Sequence, residues 1–167
     1  MRLWATNTWG GATIIKGGVV RAQCDWALPT NTVLKIGGGS VLNLNNHAAK
    51  ISSIEYLSGG GFIEGAGNAV IPETFSMSID VSDIISGCPI VLGGDRNLDG
   101  RLLTVTGDDF SALDKTKIRY RVITVSGGAA SGSPSIESAE LPPRWSYVSD
   151  RKGVSLSYSR GTVLLFR

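Results

Sequence analysis

Residues 7–67 read NTWGGATIIKGGVVRAQCDWALPTNTVLKIGGGSVLNLNNHAAKISSIEYLSGGGFIEGAG, a train of short β-branched runs broken by glycine pairs and triplets. Ile14-Ile15, Val19-Val20, Val33-Leu34-Lys35-Ile36, Val41-Leu42-Asn43-Leu44 and Ile51 to Leu57 each read as a short strand. Gly17-Gly18, Gly37-Gly38-Gly39 and Gly59-Gly60-Gly61 separate them. Glycine supplies positive φ and close backbone approach, so the chain turns sharply without helical crossovers. That pattern predicts an all-β chain, a mostly parallel β-solenoid (β-helix) of stacked coils, and a structural module before any enzyme.

The same stretch resembles the autotransporter-associated β-strand repeat of bacterial surface passengers. There a segment of the form N-x-Y-x-G-G-T-x-I-x-x-G-x-L leads to A-L-P and then to G-G-G-x-L-x-L-N. Asn7, Gly10, Gly11, Thr13, Ile15, Gly18 and Val20 follow the first part. Ala27, Leu28 and Pro29 follow the second, and Gly37 to Gly39, Val41, Leu42, Leu44 and Asn45 the third. Trp9 departs from the opening motif, and the match covers about residues 5–67. The resemblance implies a cell-surface or secreted protein, a passenger or stalk, found extracellularly or on a bacterial surface.

Composition fits that reading. The chain has 167 residues, enough for one domain with a core. Gly is 22 of these, near twice the usual share, without the collagen period. Runs of helix formers are missing; the best helical candidate is short, around Asp108 to Lys117, with Asp109 capping a turn before Phe110 and Leu113.

Further along, Phe75 to Val81, Pro89 to Leu92, Leu102 to Val105 and Ile118 to Val125 read as strands. Gly127 to Pro134 reads as a Gly/Ala/Ser loop and the expected mobile segment. Trp145 to Val148, a turn at Asp150-Arg151-Lys152-Gly153, and Val154 to Tyr158 form a predicted hairpin; a turn at Arg160-Gly161 then leads to a strand over Thr162 to Phe166. The expected organisation is therefore solenoid coils over 1–143 and an antiparallel C-terminal cap over 144–167, packed as one domain and covering exposed strand edges. Leu141-Pro142-Pro143-Arg144-Trp145 also resembles, more loosely, the C-terminal ends of large repeat-rich bacterial surface proteins.

Net charge is +2, unevenly placed: the acidic stretch is 71–143, while 144–167 carries Arg144, Arg151, Lys152, Arg160 and Arg167 against Asp150. A solvated face is the reading preferred over nucleic-acid binding, since no lysine run or aromatic-basic interleave accompanies it. No apolar run of membrane-spanning length occurs, so the chain is not expected to be membrane-embedded. Met1-Arg2-Leu3-Trp4 followed by polar residues is not read as a signal peptide.

The chemistry-bearing residues are few. Asp95, Asn97 and Asp99, with Gly100, fit the opening of a calcium loop, but Thr106 stands where the bidentate acid belongs, so a polar turn is the preferred reading. Pectin-degrading enzymes also use parallel β-helices, and Asp80, Asp83, Asp95, Asp108 and Asp109 are the acids that would have to converge with Arg119 and Arg121 for such chemistry. The N-T-D, G-H-G and R-I-K strings of those enzymes are missing, and no enzyme is expected. His47 is the only histidine and reads as a loop residue, while Asn45 and Asn46 are expected to stack on equivalents in the next coil. Cys24 and Cys88 are too few for a zinc site; two buried thiols are preferred over a disulfide. Trp4, Trp9 and Trp26 cluster early, as an aromatic cap on the first coil or, alternatively, a surface for glycans. No catalytic, cofactor or metal residue is assigned. The partners expected are neighbouring coils or like subunits joined by strand-edge stacking.

Overall fold

The computed structural model describes residues 1–160, so the turn at Arg160-Gly161 and the strand expected over Thr162 to Phe166 lie outside the described residues. In chain order the strands are β1 (Arg2–Leu3), β2 (Thr13–Ile15), β3 (Val19–Ala22), β4 (Thr32–Ile36), β5 (Ser40–Asn43), β6 (Ala49–Tyr56), β7 (Gly61–Glu64), β8 (Ala69–Val70) and β9 (Phe75–Asp80). A helix, α1 (Val81–Ser86), follows. Then come β10 (Ile90–Gly93), β11 (Arg96–Asn97), β12 (Leu102–Thr106), β13 (Arg119–Ser126), β14 (Ala130–Ser131), β15 (Ser135–Glu137), β16 (Trp145–Asp150) and β17 (Gly153–Tyr158). The protein is thus all-β with mostly parallel sheets.

Two parallel sheets carry most of the chain. One has the order β1-β3-β5-β7, the other β15-β12-β9-β6-β4-β2, with β8 paired to the side of β6. Register advances regularly at first. Arg2 pairs with Arg21, Thr13 with Leu34, Val19 with Val41, Val33 with Ser53, Ser40 with Gly61 and Ile54 with Phe75, separations of 19 to 22 residues. The separation then grows to 26 between Met77 and Leu103, and to 33 between Leu102 and Ser135. The extra residues are the helix and the long connection between β12 and β13.

Alternation explains what fills the space between these sheets. In β4, Thr32, Leu34 and Ile36 are buried while Val33 faces out; in β5, Ser40 and Leu42 are buried. Because neighbours are parallel, like positions come into line. Ile15, Ile36, Tyr56, Met77, Leu103 and Ile136 are successive register partners, a single column of apolar side chains. Burying each such side chain fully contributes about 1.5–3 kcal/mol. Two of the buried polar side chains are satisfied: the Thr13 and Thr32 hydroxyls lie 2.8 Å apart, and Ser40 Oγ donates to the Ile15 carbonyl at 3.1 Å, whereas the buried Ser155 Oγ in β17 has no partner among the described residues. On the outer face Lys35 pairs with its register partner Glu55 at 2.6 Å, an exposed pair of small worth.

A third sheet, β10-β13-β17-β16, changes direction at β13, which pairs in parallel with β10 and antiparallel with β17. The hairpin β16–β17 pairs Trp145 with Tyr158 and Asp150 with Gly153. Trp145 is buried between Tyr120 and Tyr158, with ring centroids 5.8 and 5.2 Å away.

Several expectations are corrected. Residues 108–117 form turns, and the helix lies instead at α1. Asp109 Oδ1 accepts from the Ser111 amide and Asp114 Oδ1 from the Thr116 amide, at 3.1 and 2.8 Å. Such local bonds hold the backbone in successive turns in competition with helix. The strand expected through Val81 stops at Asp80, whose side chain accepts from the Ser82 amide and caps α1; Gly87, at φ 85°, ends it. The loop 127–134 contains β14, paired with β11. Asn45 and Asn46 both have positive φ, and the Asn46 amide donates to the Gly65 carbonyl at 2.7 Å. Asn68, 22 residues further on, donates from Nδ2 to the Asn46 carbonyl at 2.7 Å, so this asparagine contact runs from side chain to backbone and not between stacked side chains.

The glycine triplets sit where the chain turns between sheets, and two positions carry the closest approaches. Gly38 has φ 62° and a Cβ there would strike the Lys16 carbonyl; Gly60 has φ 61° and a Cβ would strike the Val91 carbonyl. Only a residue without a side chain lets these backbones stack. Gly60→Ala should therefore cost about 2–4 kcal/mol in urea denaturation, whereas Gly17→Ala, whose added methyl meets open space, should stay within about 0.5 kcal/mol. Equal stability of the two variants would show that the close approach is not needed.

Candidate functional site

Of the acids that would have to converge for acid/base chemistry, Asp80, Asp108 and Asp109 line one surface pocket and Asp80 and Asp83 another, while Asp95 lines neither; Asp80, Asp83, Asp95 and Asp109 are committed to backbone or hydroxyl donors. Asp80 caps α1 and also accepts from Thr106 Oγ1 at 3.0 Å. Hydrogen bonds from Ser82 and Thr106 hold its carboxyl below the usual carboxylate range. Asp83 accepts from Ser58 Oγ at 2.5 Å. Asp109 closes a turn on Ser111. Arg119 and Arg121 turn away from all of these and clasp Asp150, at 3.1 and 3.0 Å. The Arg121 hydrogen bond, before any other cause, depresses the Asp150 pKa.

Asp95 and Asp99 are each bonded to the loop that follows β13. Asp95 Oδ1 accepts from the Ala129 amide at 2.8 Å and Asp99 Oδ1 from the Ser133 amide at 2.9 Å. Asn97 Oδ1 accepts from the Asp99 amide at 3.0 Å. The D-x-N-x-D stretch thereby fastens the loop that follows β13, a role that an unpaired pattern in sequence does not disclose. Among the described residues no group of three His, Cys, Asp or Glu could hold a metal ion.

His47 Nδ1 lies 3.1 Å from Asp25 Oδ1, which also accepts from the Ala48 amide at 2.9 Å. The Ala48 bond, more than His47 itself, lowers the Asp25 pKa. This pair ties two layers of chain at a turn, with no serine or cysteine bonded to the imidazole among the described residues. Cys24 and Cys88 are not paired; Cys24 is half-buried, and Cys88 is exposed instead of buried as expected, because it follows the αL cap at Gly87 on the surface.

The remaining candidate is a surface, the end of the molecule where β1 and β2 lie. Each is the last strand of its sheet, so each leaves one edge without a partner among the described residues. Large apolar side chains are exposed there: Met1, Trp4, Trp9, Ile14 and Val19, with Trp4 67% and Ile14 55% accessible. Trp26 is also exposed, at a positive φ of 57°. The three early tryptophans make no ring pair with each other; Arg2 lies over Trp4 at 6.0 Å and Trp9 Nε1 donates to Thr13 Oγ1 at 3.3 Å. Trp9, Ile14 and Val19 line a shallow hollow of about 340 Å3 with Met1 and Leu3. An exposed ladder edge flanked by apolar side chains can accept another strand. Among the described residues, no helix is long and apolar enough to cross a membrane.

No protein-family model, curated protein or solved structure matches the chain.

Asp25, Asp80, Asp109, Asp114 and Asp150 all have pKa values below the ordinary 3.8. A carboxyl depressed by folding stabilises the folded chain above its unfolded pKa, and that contribution is lost as pH falls through the folded value. The melting temperature should therefore hold steady above about pH 5 and fall below about pH 4. Asp150→Asn should lower the melting temperature at neutral pH and soften that fall. An unchanged melting temperature at neutral pH would remove the Arg119–Asp150–Arg121 clasp from the account.

Proposed function

We propose that the chain is a β-solenoid, a non-catalytic structural segment of a bacterial surface or secreted protein, serving as a stalk or the end of a passenger. One observation carries this reading: the unbroken column Ile15, Ile36, Tyr56, Met77, Leu103 and Ile136, each the register partner of the next. Repeated returns to one register make every layer a support for the next, and stiffness then runs along the stack. The commitment of Asp80, Asp95, Asp99 and Asp150 to backbone and arginine partners supports a scaffold over an enzyme. The repeat-like stretch 7–67 supports placement outside the cell or on its surface. The β16–β17 hairpin acts as a cap over the last parallel strands.

A second reading, a self-assembling extracellular fibre subunit, draws on the open edges of β1 and β2 and the apolar side chains around them. In that case like subunits add by strand-edge stacking at this end.

The solenoid reading makes a direct demand on length. Deleting residues 40–60 joins Gly39 to Gly61, the register partner of Ser40, and so removes one layer. That variant should keep a cooperative melt and a β-type circular dichroism spectrum. Deleting residues 40–50 breaks the register and should abolish the cooperative transition. Equal damage by both deletions would defeat the layered reading.

Negative-stain electron microscopy over a concentration series separates the stalk from the fibre. Uniform short particles are expected for a capped stalk segment. Filaments that vanish in Ile14→Lys would make the open edges the functional surface.

A further inference from the structure

Away from the open end, a groove of about 440 Å3 lies at the corner between β7 and the ends of β6 and β9. Its composition differs from the aliphatic interior and from the polar outer faces. Phe62, on β7, is 39% exposed. Its ring lies over Gly93, where a Cβ would come within 3.1 Å of the ring edge, so a glycine at that place leaves a shelf on which the aromatic face can lie open. Phe75 and the buried Tyr56 meet edge to face at 5.5 Å and close the inner end. Ile71 and Pro72, from the excursion between β8 and β9, form the opposite wall.

Polar groups converge on the same groove. Arg96 is half-buried, its Nε donating to the Gly93 carbonyl at 2.8 Å and its guanidinium 5.9 Å from the Phe75 ring centre. It has no carboxylate partner among the described residues. The guanidinium also faces the Tyr56 hydroxyl; fixed through Nε and against that hydroxyl, and without a counter-ion among the described residues, it still has N–H donors left for a ligand. The exposed carboxylates of Glu64 and Glu73 line the same groove; Glu64 accepts from Asn43 Nδ2 at 3.2 Å, and Glu73 forms no ion pair among the described residues.

From these contacts we infer that the groove binds an uncharged saccharide, one pyranose ring resting on Phe62 with its hydroxyls shared between Glu64, Glu73 and Arg96. An aromatic face offers a platform for the apolar side of a sugar ring. Carboxylates accept from hydroxyls while the guanidinium donates to them, so vicinal hydroxyls are matched in both senses. Two acids against one arginine disfavour an acidic sugar at the same place. The site is distinct from Trp9 and Trp26, which lie outside the groove.

Isothermal titration of the full chain with maltohexaose, cellohexaose, xylohexaose and mannohexaose, beside trigalacturonate, tests this. At least one neutral oligosaccharide should bind, with affinity falling about tenfold or more in Phe62→Ala and in Glu73→Gln, a loss of about 1.4 kcal/mol. Trp9→Ala and Trp26→Ala should leave it unchanged. Glu73→Gln keeps the test decisive if Phe62→Ala perturbs folding, since Glu73 is exposed and supports no ion pair among the described residues. Silence across the neutral panel overturns the inference. So does tighter binding of trigalacturonate, binding that survives both groove substitutions, or binding lost on changing Trp9 or Trp26.

Discussion

Parallel pairing between successive layers is the constraint on which the rest of the structure depends. A parallel strand cannot return through a two-residue hairpin, so the chain must travel out and turn before its next strand comes into register. Here the early layers do so in 19 to 22 residues. A slip of one residue would send Leu34 and Ile36 outward and Val33 and Lys35 inward. The register is held by the aliphatic column within and by the close turns without. Gly38 and Gly60 matter because their carbonyl neighbours, on Lys16 and Val91, belong to adjacent layers. The corner glycines and the buried column are two expressions of one spacing.

The change of direction at β13 follows from the same constraint. On one side it continues the parallel order with β10; on the other it accepts β17 antiparallel. The hairpin brings its own polar fastening, Asp150 between Arg119 and Arg121, and its own aromatic fastening in Trp145 between two tyrosines. The earlier strands carry the exposed Lys35–Glu55 pair, whereas in the hairpin one carboxylate is held between two arginines. That clasp runs against the overall charge of the two stretches, two arginines of the acidic stretch holding the one acid of the basic stretch.

Much of this was legible in the residues. The β-branched runs of 7–67, the alternation of Phe75 to Asp80 and the hairpin around Asp150 to Gly153 all appear as strands and turns near their expected places. Parallel order was suggested by short β-branched runs broken by glycine pairs and triplets that turn the chain sharply. The two-residue strands were not legible, because Ala69-Val70, Arg96-Asn97 and Ala130-Ser131 carry no periodic signal and exist only through partners far along the chain. Helix α1 was hidden within an alternating run, since VSDIIS is too short to show a 3.6-residue period; Asp80 and Gly87 were the signals that could have found it. The groove at Phe62 was hidden for another reason. Its residues come from four separate stretches, and nothing in FIEGAG or PETF announces that Arg96 will join them.

The lengthening of the layers, from about 20 residues at β2 to 33 at β12, has a consequence for how the chain comes to be folded. The first layers join residues about an eighth of the chain apart, which keeps the entropy of closing each loop small and favours rapid formation. A nascent chain could lay down these layers one after another as it emerges, each new strand finding an edge already in place. The later layers must wait for longer stretches, and the hairpin must be complete before β13 gains its second neighbour. Assembly would then be vectorial, quick at the start and slowest at the segment that closes the stack.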